Sequence, residues 1–261
     1  MVKGLGLFLE RFREFADRYV LIGGTACDLI LEEAGLRFRA TKDLDIVLCI
    51  ESLDEAFGRA FWEFVNAGGY KTRESADGKG CFYRFQKPDN EAYPAMLELF
   101  SRAPGVLPIA EGCPLTRIPV GDEISSLSAI LLDEDYYDWI QAGRRMIADL
   151  PTVGPAHLIP LKARAWLDLR ARKEAGEEVD SRSIQKHKND VFRLFQVIDP
   201  ESDVNPPRRV VDDMGAFLDQ VAVEGVDLKS LGLRTTSLET VLAGLRKLYR
   251  IDLDAPRDSK A

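Results

Sequence analysis

The first hundred residues combine helically spaced apolar side chains with short segments that are wholly apolar. YVLIGG (19–24) is apolar up to its paired glycines, which predicts a buried strand followed by a turn. LDIVLCI (44–50) predicts a second buried strand. Apolar positions near the 3.6-residue period predict helices at 5–17 and 25–33. A capping-box pattern of Ser52 and Glu55 predicts a third helix, which ends near Gly68-Gly69. This alternation of strands and helices indicates a layered fold.

The pattern changes twice further along the chain. Four short apolar segments predict further strands of a mixed or antiparallel sheet: CFYRF (81–85), AMLELF (95–100), TRIPV (116–120) and ISSLSAILL (124–132). After about residue 133 the spacing becomes helical, and we expect helices at 134–148, 156–172, 183–198, 209–223 and 237–250, with a polar surface loop at 173–182. The predicted fold class is α+β. A mixed sheet with flanking helices occupies 1–150, and an α-helical domain occupies 151–261.

Composition narrows the functional classes. The chain has 261 residues and a formal net charge of −8, which does not favour broad electrostatic binding to nucleic acid. Basic residues are nevertheless concentrated in one stretch, which contains Arg164, Arg170, Arg172, Lys173, Arg182, Lys186 and Lys188. Four isolated cysteines and two histidines argue against a zinc site, and reduced thiols in a cytoplasmic protein are the simplest interpretation. No apolar run is long enough to predict a membrane span.

Asp43 and Asp45 stand two positions apart at the start of the second predicted strand. Side chains at i and i+2 project from the same face of a strand, so both carboxylates can reach one point. Two adjacent anions raise each other's pKa, and a divalent cation would remove that penalty. Oxygen ligands without histidine or thiolate favour Mg²⁺ or Mn²⁺. The alternative is a solvent-facing pair at the entry to a strand.

Gly23-Gly24-Thr25 lies at a strand-to-helix turn. Paired glycines let the backbone approach a ligand, and the helix N-terminus presents free N–H groups to an anion such as phosphate. Tight packing is the alternative explanation. The order strand, Gly-Gly, helix, strand, Asp-x-Asp would place a phosphate-binding turn beside a metal-binding pair.

Three further polar residues are candidates for the site. Lys162 falls inside the apolar stripe of the helix PAHLIPLKARAWLDL, so its ammonium must either reach solvent or find an anion such as a triphosphate. Asp190 borders the apolar face of the next helix, where it could hold Lys162 or position an acceptor, or could pair with Lys186 or Arg193. Arg84 on CFYRF is a candidate phosphate contact. We expect His187 to be a surface residue.

The hGG(T/S)…DhDh arrangement resembles the nucleotidyltransferase superfamily of the DNA polymerase β type. RATKDLDIVL, in which Arg39 and Thr41 lead into the carboxylate pair, is together with GGTA similar to the AbiEii-type toxin nucleotidyltransferases of bacterial abortive-infection and toxin–antitoxin systems. The 18 residues between Gly24 and Asp43 form a longer gap than in many minimal members of the superfamily.

The resemblance also assigns roles to residues. Glu98 in AMLELFSR matches the third carboxylate of the superfamily, Lys162-Ala163-Arg164-Ala165 resembles a KLxA-type segment, and KHKNDVFRL resembles an RDxxDL motif with Asp190 as its acidic residue. The implied catalytic residues are Asp43, Asp45, Glu98, Lys162 and Asp190, and the implied metal ligands are Asp43, Asp45 and Glu98. The implied nucleotide-binding residues are Gly23, Gly24, Thr25, Arg39, Thr41, Arg84 and Lys162.

The activity that this resemblance implies is Mg²⁺-dependent (or Mn²⁺-dependent) transfer of a nucleoside monophosphate from an NTP, such as ATP, GTP or CTP, to an acceptor hydroxyl. The implied acceptor is RNA, with tRNA ends among the candidates. A cognate antitoxin protein is an implied partner, phage defence an implied setting, and no membrane association is expected. Two alternatives stay open: a nucleotidyltransferase that modifies a small molecule such as an antibiotic, and a non-catalytic nucleotide-binding module.

Overall fold

The computed structural model describes residues 2–49, 51–72, 82–101 and 133–251, and at residues 72, 82 and 83 it describes the backbone only. The helices in these ranges are α1 (Leu5–Phe12), α2 (Gly23–Glu33), α3 (Glu55–Gly68), α4 (Glu134–Ala142), α5 (Pro155–Glu174), α6 (Ser181–Phe195), α7 (Arg208–Glu224) and α8 (Leu238–Leu248). The strands are β1 (Tyr19–Ile22), β2 (Asp43–Leu48), β3 (Lys71–Thr72), β4 (Phe82–Gln86), β5 (Met96–Phe100), β6 (Arg144–Ile147) and β7 (Leu150–Val153).

These strands form one mixed sheet in the order β3-β4-β5-β2-β1-β7-β6. Strand β2 runs parallel to β5 and β1 parallel to β7, and the other neighbouring pairs are antiparallel. The predicted α+β class, a mixed sheet with flanking helices and a helical C-terminal part, is confirmed. The predicted strands TRIPV and ISSLSAILL lie outside the described residues.

The hydrophobic core is continuous from the sheet into the helical part of the chain. Helices α1 and α3 pack together through aromatic rings, with Phe12 stacked on Phe8 at a centroid separation of 4.4 Å and next to Phe64 at 5.5 Å. Aromatic burial of this kind contributes a large apolar area to the core. Helix α2 contacts β1 and β2 and also α5 and α6, so it connects the sheet to the C-terminal helices.

One predicted helix, 134–148, is wrong in its second half. Helix α4 ends at Ala142, and residues 144–153 form an antiparallel hairpin in which β7 lies beside β1. The turn is made by Ala148 and Asp149, whose φ angles of +49° and +62° are those of a type I′ hairpin turn. Neither residue is the glycine that usually indicates such a turn, and a proline such as Pro151 usually argues against a strand. The sequence pattern therefore did not predict the hairpin.

The sequence predicted a boundary between two domains after residue 150. Strand β7 begins at residue 150 and continues past this boundary to Val153, and α5 begins two residues later at Pro155. The division into a catalytic and a helical domain stays a prediction. The C-terminal helices lie close to their predicted positions, although α5 continues to Glu174 into the predicted loop. In the described part of the chain, no helix is both long and apolar enough to cross a membrane.

Candidate active site

The turn between β1 and α2 is shaped by two glycines that contact the protein's own side chains. Gly23 has a φ of +68°, and a Cβ at this position would lie 1.6 Å from Oδ2 of Asp45. A Cβ at Gly24 would lie 2.6 Å from Oγ1 of Thr41. The Gly24 N–H points to Asp45 Oδ2 at a donor–acceptor distance of 3.4 Å. The glycines therefore bring the first turn of α2 against the carboxylates of β2, and the atoms that approach them most closely belong to Asp45 and Thr41.

Three carboxylates lie on two neighbouring strands. Asp43 and Asp45 occupy alternate positions of β2 and are both partly exposed. Asp45 is the direct register partner of Glu98 on β5, so the two carboxylates stand on adjacent strands at the same level of the sheet. The structure thus places the three predicted metal ligands at neighbouring positions of two adjacent strands.

The crowding of these carboxylates changes their acidity. Burial, followed by the charge of Asp45, raises the pKa of Glu98 to about 8, while Arg84 acts in the opposite direction. Burial and then Asp45 also raise the pKa of Asp43. Uncompensated negative charge in a partly buried site favours either protons or cations. A bound cation would relieve the repulsion between these carboxylates and favour their ionised forms.

Two predicted nucleotide-binding residues make contacts within the protein. Thr25 is fully buried, and its hydroxyl donates to the carbonyl oxygen of Asp43 at 2.7 Å. Arg84 is the register partner of Glu98 on β4 and donates to its Oε1 at 2.6 Å. Thr25 thereby fixes the distance between α2 and the entry of β2, and Arg84 holds the Glu98 side chain in place.

Asp190 on α6 lies at the centre of a buried ionic cluster. Its carboxylate is fully buried and receives Arg39 Nη2 at 2.8 Å, Arg193 Nη1 at 3.3 Å and Lys162 Nζ at 3.6 Å. Burial would raise the pKa of Asp190, but Lys162 and the hydrogen bond from Arg39 outweigh it and hold that pKa below its usual range. The structure therefore brings together the predicted residues Lys162, Asp190 and Arg39. We call Arg39, Lys162, Asp190 and Arg193 the Asp190 cluster.

Lys162 does not extend to the surface, which was the alternative explanation of its position. It is 1% exposed, and its ammonium lies 3.6 Å from Oδ2 of Asp190. A fully buried ammonium is costly unless a negative charge accompanies it. The position of Lys162 in an apolar stripe is thus explained by an anionic partner from the next helix.

The Asp190 cluster carries more positive than negative charge. Three cationic side chains share one carboxylate. Lys186 on α6 is exposed to solvent as a residue. Partial burial of its ammonium, followed by the charges of Arg39 and Lys162, nevertheless lowers the pKa of Lys186. The guanidinium of Arg39 would lie 3.7 Å from a Cβ on Gly24, so this excess charge faces the N-terminal turn of α2. Cations at a helix N-terminus make a favourable place for an anion.

His187 is not the surface residue that we expected. It is 9% exposed, and its Nδ1 has no hydrogen-bond partner among the described residues. Burial and then the charges of Lys162 and Lys186 lower the pKa of His187 to about 3. The helical spacing of His187 with Asp190, Val191 and Leu194 could have shown that it lies on the inner face of α6.

The donor set fits a divalent cation. Asp43 and Asp45 would hold it, with Glu98 as a third oxygen ligand, and the raised pKa values of Asp43 and Glu98 show that negative charge is under-compensated there. Within the ranges the structure describes, no three His, Cys, Asp or Glu side chains already form a group that could hold a metal ion. Glu98 is instead paired with Arg84, so it would have to turn toward the aspartates to coordinate an ion.

Comparisons with known proteins give a similarity in structure. No protein-family model matches the chain, and a search of curated proteins finds no significant relative. Among solved structures, the chain is similar to an antigenic nucleotidyltransferase-like protein from Paracoccidioides brasiliensis, with 14% sequence identity over 90% of this chain and 95% of that one, and a TM-score of 0.45. That similarity is too low to assign a function to the site.

Proposed function

We propose that this chain is a magnesium-dependent nucleotidyltransferase that moves a nucleoside monophosphate from an NTP to an acceptor hydroxyl. The observation that carries the proposal is the register of β2 and β5, which places Asp45 directly beside Glu98. The Asp45 carboxylate also lies against the Gly23-Gly24 turn. A cationic cluster borders the same turn. Carboxylates for a metal ion next to cations for phosphate are the two charge patterns that phosphorus chemistry on a nucleotide requires.

The phosphates of the NTP would bind where positive charge is in excess. Lys162, Arg39 and the first N–H groups of α2 supply donors, and Asp190 keeps the two cationic side chains in fixed positions. The two side chains would bind phosphate differently. The guanidinium of Arg39 can donate two parallel hydrogen bonds to phosphate oxygens, whereas the ammonium of Lys162 acts as a compact positive charge. The clustering of both against one buried carboxylate pre-organises the site, so little side-chain entropy is lost on binding.

The transfer step is a substitution at the α-phosphorus. The acceptor oxygen forms a new P–O bond, the bond to the bridging oxygen of pyrophosphate breaks, and the hydroxyl proton leaves the acceptor. Glu98, whose pKa is raised to about 8, is the carboxylate best suited to take that proton at neutral pH once it is ionised. A Mg²⁺ ion held by Asp43 and Asp45 would supply charge stabilisation at the phosphoryl oxygens.

We propose RNA as the acceptor class, with tRNA ends included, because the motifs resemble toxin nucleotidyltransferases. On the same ground we propose a cytoplasmic setting and neutralisation by a cognate antitoxin. Bacterial defence against phage is the biological context that this resemblance suggests. Each of these finer proposals depends on the acceptor experiment below.

A small-molecule acceptor is the second candidate, and one observation favours it. The basic stretch that could bind RNA is largely neutralised by acidic partners: Arg164 with Asp213 at 3.0 Å, Arg172 with Glu177 at 2.7 Å, Lys188 with Glu224 at 3.0 Å, and Arg170 also with Glu224. Side chains held in such pairs are less available to RNA phosphates. A cationic small molecule would suit a chain with a net charge of −8.

The test is an acceptor screen with each of the four α-labelled NTPs and Mg²⁺. Total RNA and a mixture of hydroxyl-bearing aminoglycosides serve as separate acceptor pools, and Asp45→Asn is the control variant. Label in RNA supports the first candidate, and label in the aminoglycoside pool supports the second. An NTP that raises the melting temperature of the wild-type protein without any transfer would identify a non-catalytic binding module and overturn the enzymatic proposal.

A further inference from the structure

The imidazole of His187 is buried beside the Asp190 cluster with one ring nitrogen unsatisfied. Nδ1 has no hydrogen-bond partner among the described residues, although the residue is only 9% exposed. Buried polar groups are nearly always hydrogen-bonded, and an exception needs a reason, such as a ligand that completes the site. Simple packing does not supply that reason, because an apolar side chain would fill the same space without the penalty.

The charges that face His187 come from three parts of the fold. Lys162 faces it from α5 and Arg39 from the segment between α2 and β2, while Lys186 and Asp190 belong to its own helix. Burial, followed by the charges of Lys162 and Lys186, lowers the pKa of His187 to about 3. The ring is therefore neutral in the free protein, and the three cations outnumber the one carboxylate beside it.

A bound polyphosphate would reverse this local field. Three or more negative charges placed against Arg39 and Lys162 would outweigh the excess positive charge there and would also stabilise an imidazolium against the cost of its burial. A protonated imidazole has two N–H donors, and phosphate oxygens are acceptors only. The same event would therefore satisfy the unpaired ring nitrogen and add a cation to the anion site.

We propose that His187 is a further anion-binding residue of the Asp190 cluster, and that it takes up one proton from solvent when a polyphosphate group binds. This inference rests on the proposed function, because it assumes that the cluster binds the phosphates of a nucleotide. His187 would add a third phosphate-binding side chain to Arg39 and Lys162, and its protonation would make the affinity for phosphate depend on pH. Phosphate binding tightens as the pH falls through the range in which the ligand-bound His187 titrates.

The test uses the ring resonances of the full-length protein labelled with ¹⁵N. The chain contains two histidines, so His157 is an internal control in the same spectrum. His157 stacks on Trp139 with ring centroids 4.1 Å apart, and burial alone lowers its pKa to about 4. Resonances are assigned with His157→Gln and followed from pH 5 to 8, first without ligand and then with saturating inorganic tripolyphosphate in EDTA.

We expect both rings to be neutral across this range in the free protein. With tripolyphosphate, the nitrogen resonances of His187 should change to those of an imidazolium at the acidic end, and those of His157 should stay neutral. Tripolyphosphate should bind about tenfold more tightly at pH 5.5 than at pH 7.5, since uptake of one proton on binding changes the affinity by up to tenfold per pH unit. His187→Gln should flatten this dependence, and His157→Gln should preserve it.

The outcomes separate this inference from the proposed function. Tripolyphosphate that binds while the His187 resonances stay neutral overturns the inference and leaves the phosphate site standing. Wild-type protein that binds no tripolyphosphate contradicts both proposals. A His187 response in a protein that transfers no nucleotide supports the anion site and contradicts the enzymatic proposal alone. The wild-type spectrum gives the answer even if His187→Gln fails to fold.

Discussion

Asp190 and Arg39 are 151 positions apart in the chain, and Oδ2 of Asp190 accepts a hydrogen bond from Nη2 of Arg39 at 2.8 Å. The contact joins α6 to the segment that leads into β2. A charge-assisted bond of this geometry is among the strong ones, and Asp190 is fully buried. The C-terminal helices therefore hold an arginine that borders the Gly23-Gly24 turn, so the integrity of the site depends on how those helices pack.

Removing the charge of Asp190 should destabilise the protein strongly. In Asp190→Asn, the ammonium of Lys162 and the guanidinium of Arg39 lose their shared carboxylate while Lys162 stays buried. We expect a loss of about 3–5 kcal/mol in the free energy of unfolding, measured with urea. Asp203→Asn, which breaks an exposed pair with Arg250, is the matched control and should stay close to wild type. A small effect at Asp190 would show that the cluster is not held by its charge.

Lys162→Met separates binding from stability. Methionine keeps most of the side-chain volume, and Asp190 retains Arg39 and Arg193 as partners, so we expect the free energy of unfolding to change little. Nucleotide transfer should fall by about 10²-fold or more, because one charge-stabilising contact at phosphorus is lost.

Lys188→Met is the control for this prediction. Lys188 is also mostly buried and paired, but with Glu224, away from the Asp190 cluster. Glu224 keeps Arg170 as a partner, so Lys188→Met should also change stability little, and it should leave transfer unchanged. Equal transfer by wild type and Lys162→Met would exclude Lys162 from phosphate binding.

Gly24→Ala tests whether the glycine turn serves packing or ligand approach. The new Cβ would lie 2.6 Å from the hydroxyl oxygen of Thr41, so stability should fall by about 1–3 kcal/mol through overpacking. The double variant Gly24→Ala/Thr41→Ala relieves that contact and should regain most of the stability. If the backbone must also approach phosphate, the double variant binds NTP more weakly in a titration than Thr41→Ala alone. Full recovery of NTP binding together with stability would show that the turn is packing alone.

His157 should make stability depend on pH in the acidic range. Burial lowers its pKa from 6.5 to about 4, so the unfolded chain binds the proton more readily than the folded chain. Its stabilising contribution is complete above about pH 6.5 and is lost as the pH falls toward 4. Because the ring is partly exposed, we expect the contribution to be about 1–2 kcal/mol. Urea unfolding of His157→Gln should show a shallower decline than wild type between pH 6.5 and 4.5, and parallel curves would contradict this assignment.

Local patterns gave much of the fold from the sequence. The positions of Asp43 and Asp45 on one strand face follow from a period of two, and the C-terminal helices follow from a period of 3.6. The hairpin at 144–153 was missed because Ala148 and Asp149 adopt positive φ without the usual glycine. Its neighbour in the sheet, β1, lies more than a hundred positions earlier, and such pairing leaves no local signature.

The site was predicted in its residue types and less well in its contacts. Lys162 and Asp190 were both marked by polarity on an apolar face, but nothing in either helix identifies Arg39 as the second partner of Asp190. Thr25 and Arg84 were predicted as nucleotide contacts, and the structure pairs them with the Asp43 carbonyl and with Glu98. Burial of His187 was missed because its helical register with Asp190 was not weighed against its polarity.

The central claim is that the chain transfers a nucleoside monophosphate and releases pyrophosphate. The most direct measurement compares α-labelled with γ-labelled NTP in the presence of Mg²⁺ and the acceptor pools, with wild-type protein and Asp45→Asn side by side. We predict that the α label becomes covalently attached to the acceptor, that the γ label appears in pyrophosphate, and that Asp45→Asn does neither. Attachment of the γ label, or equal transfer by Asp45→Asn, would contradict the proposed nucleotidyltransferase.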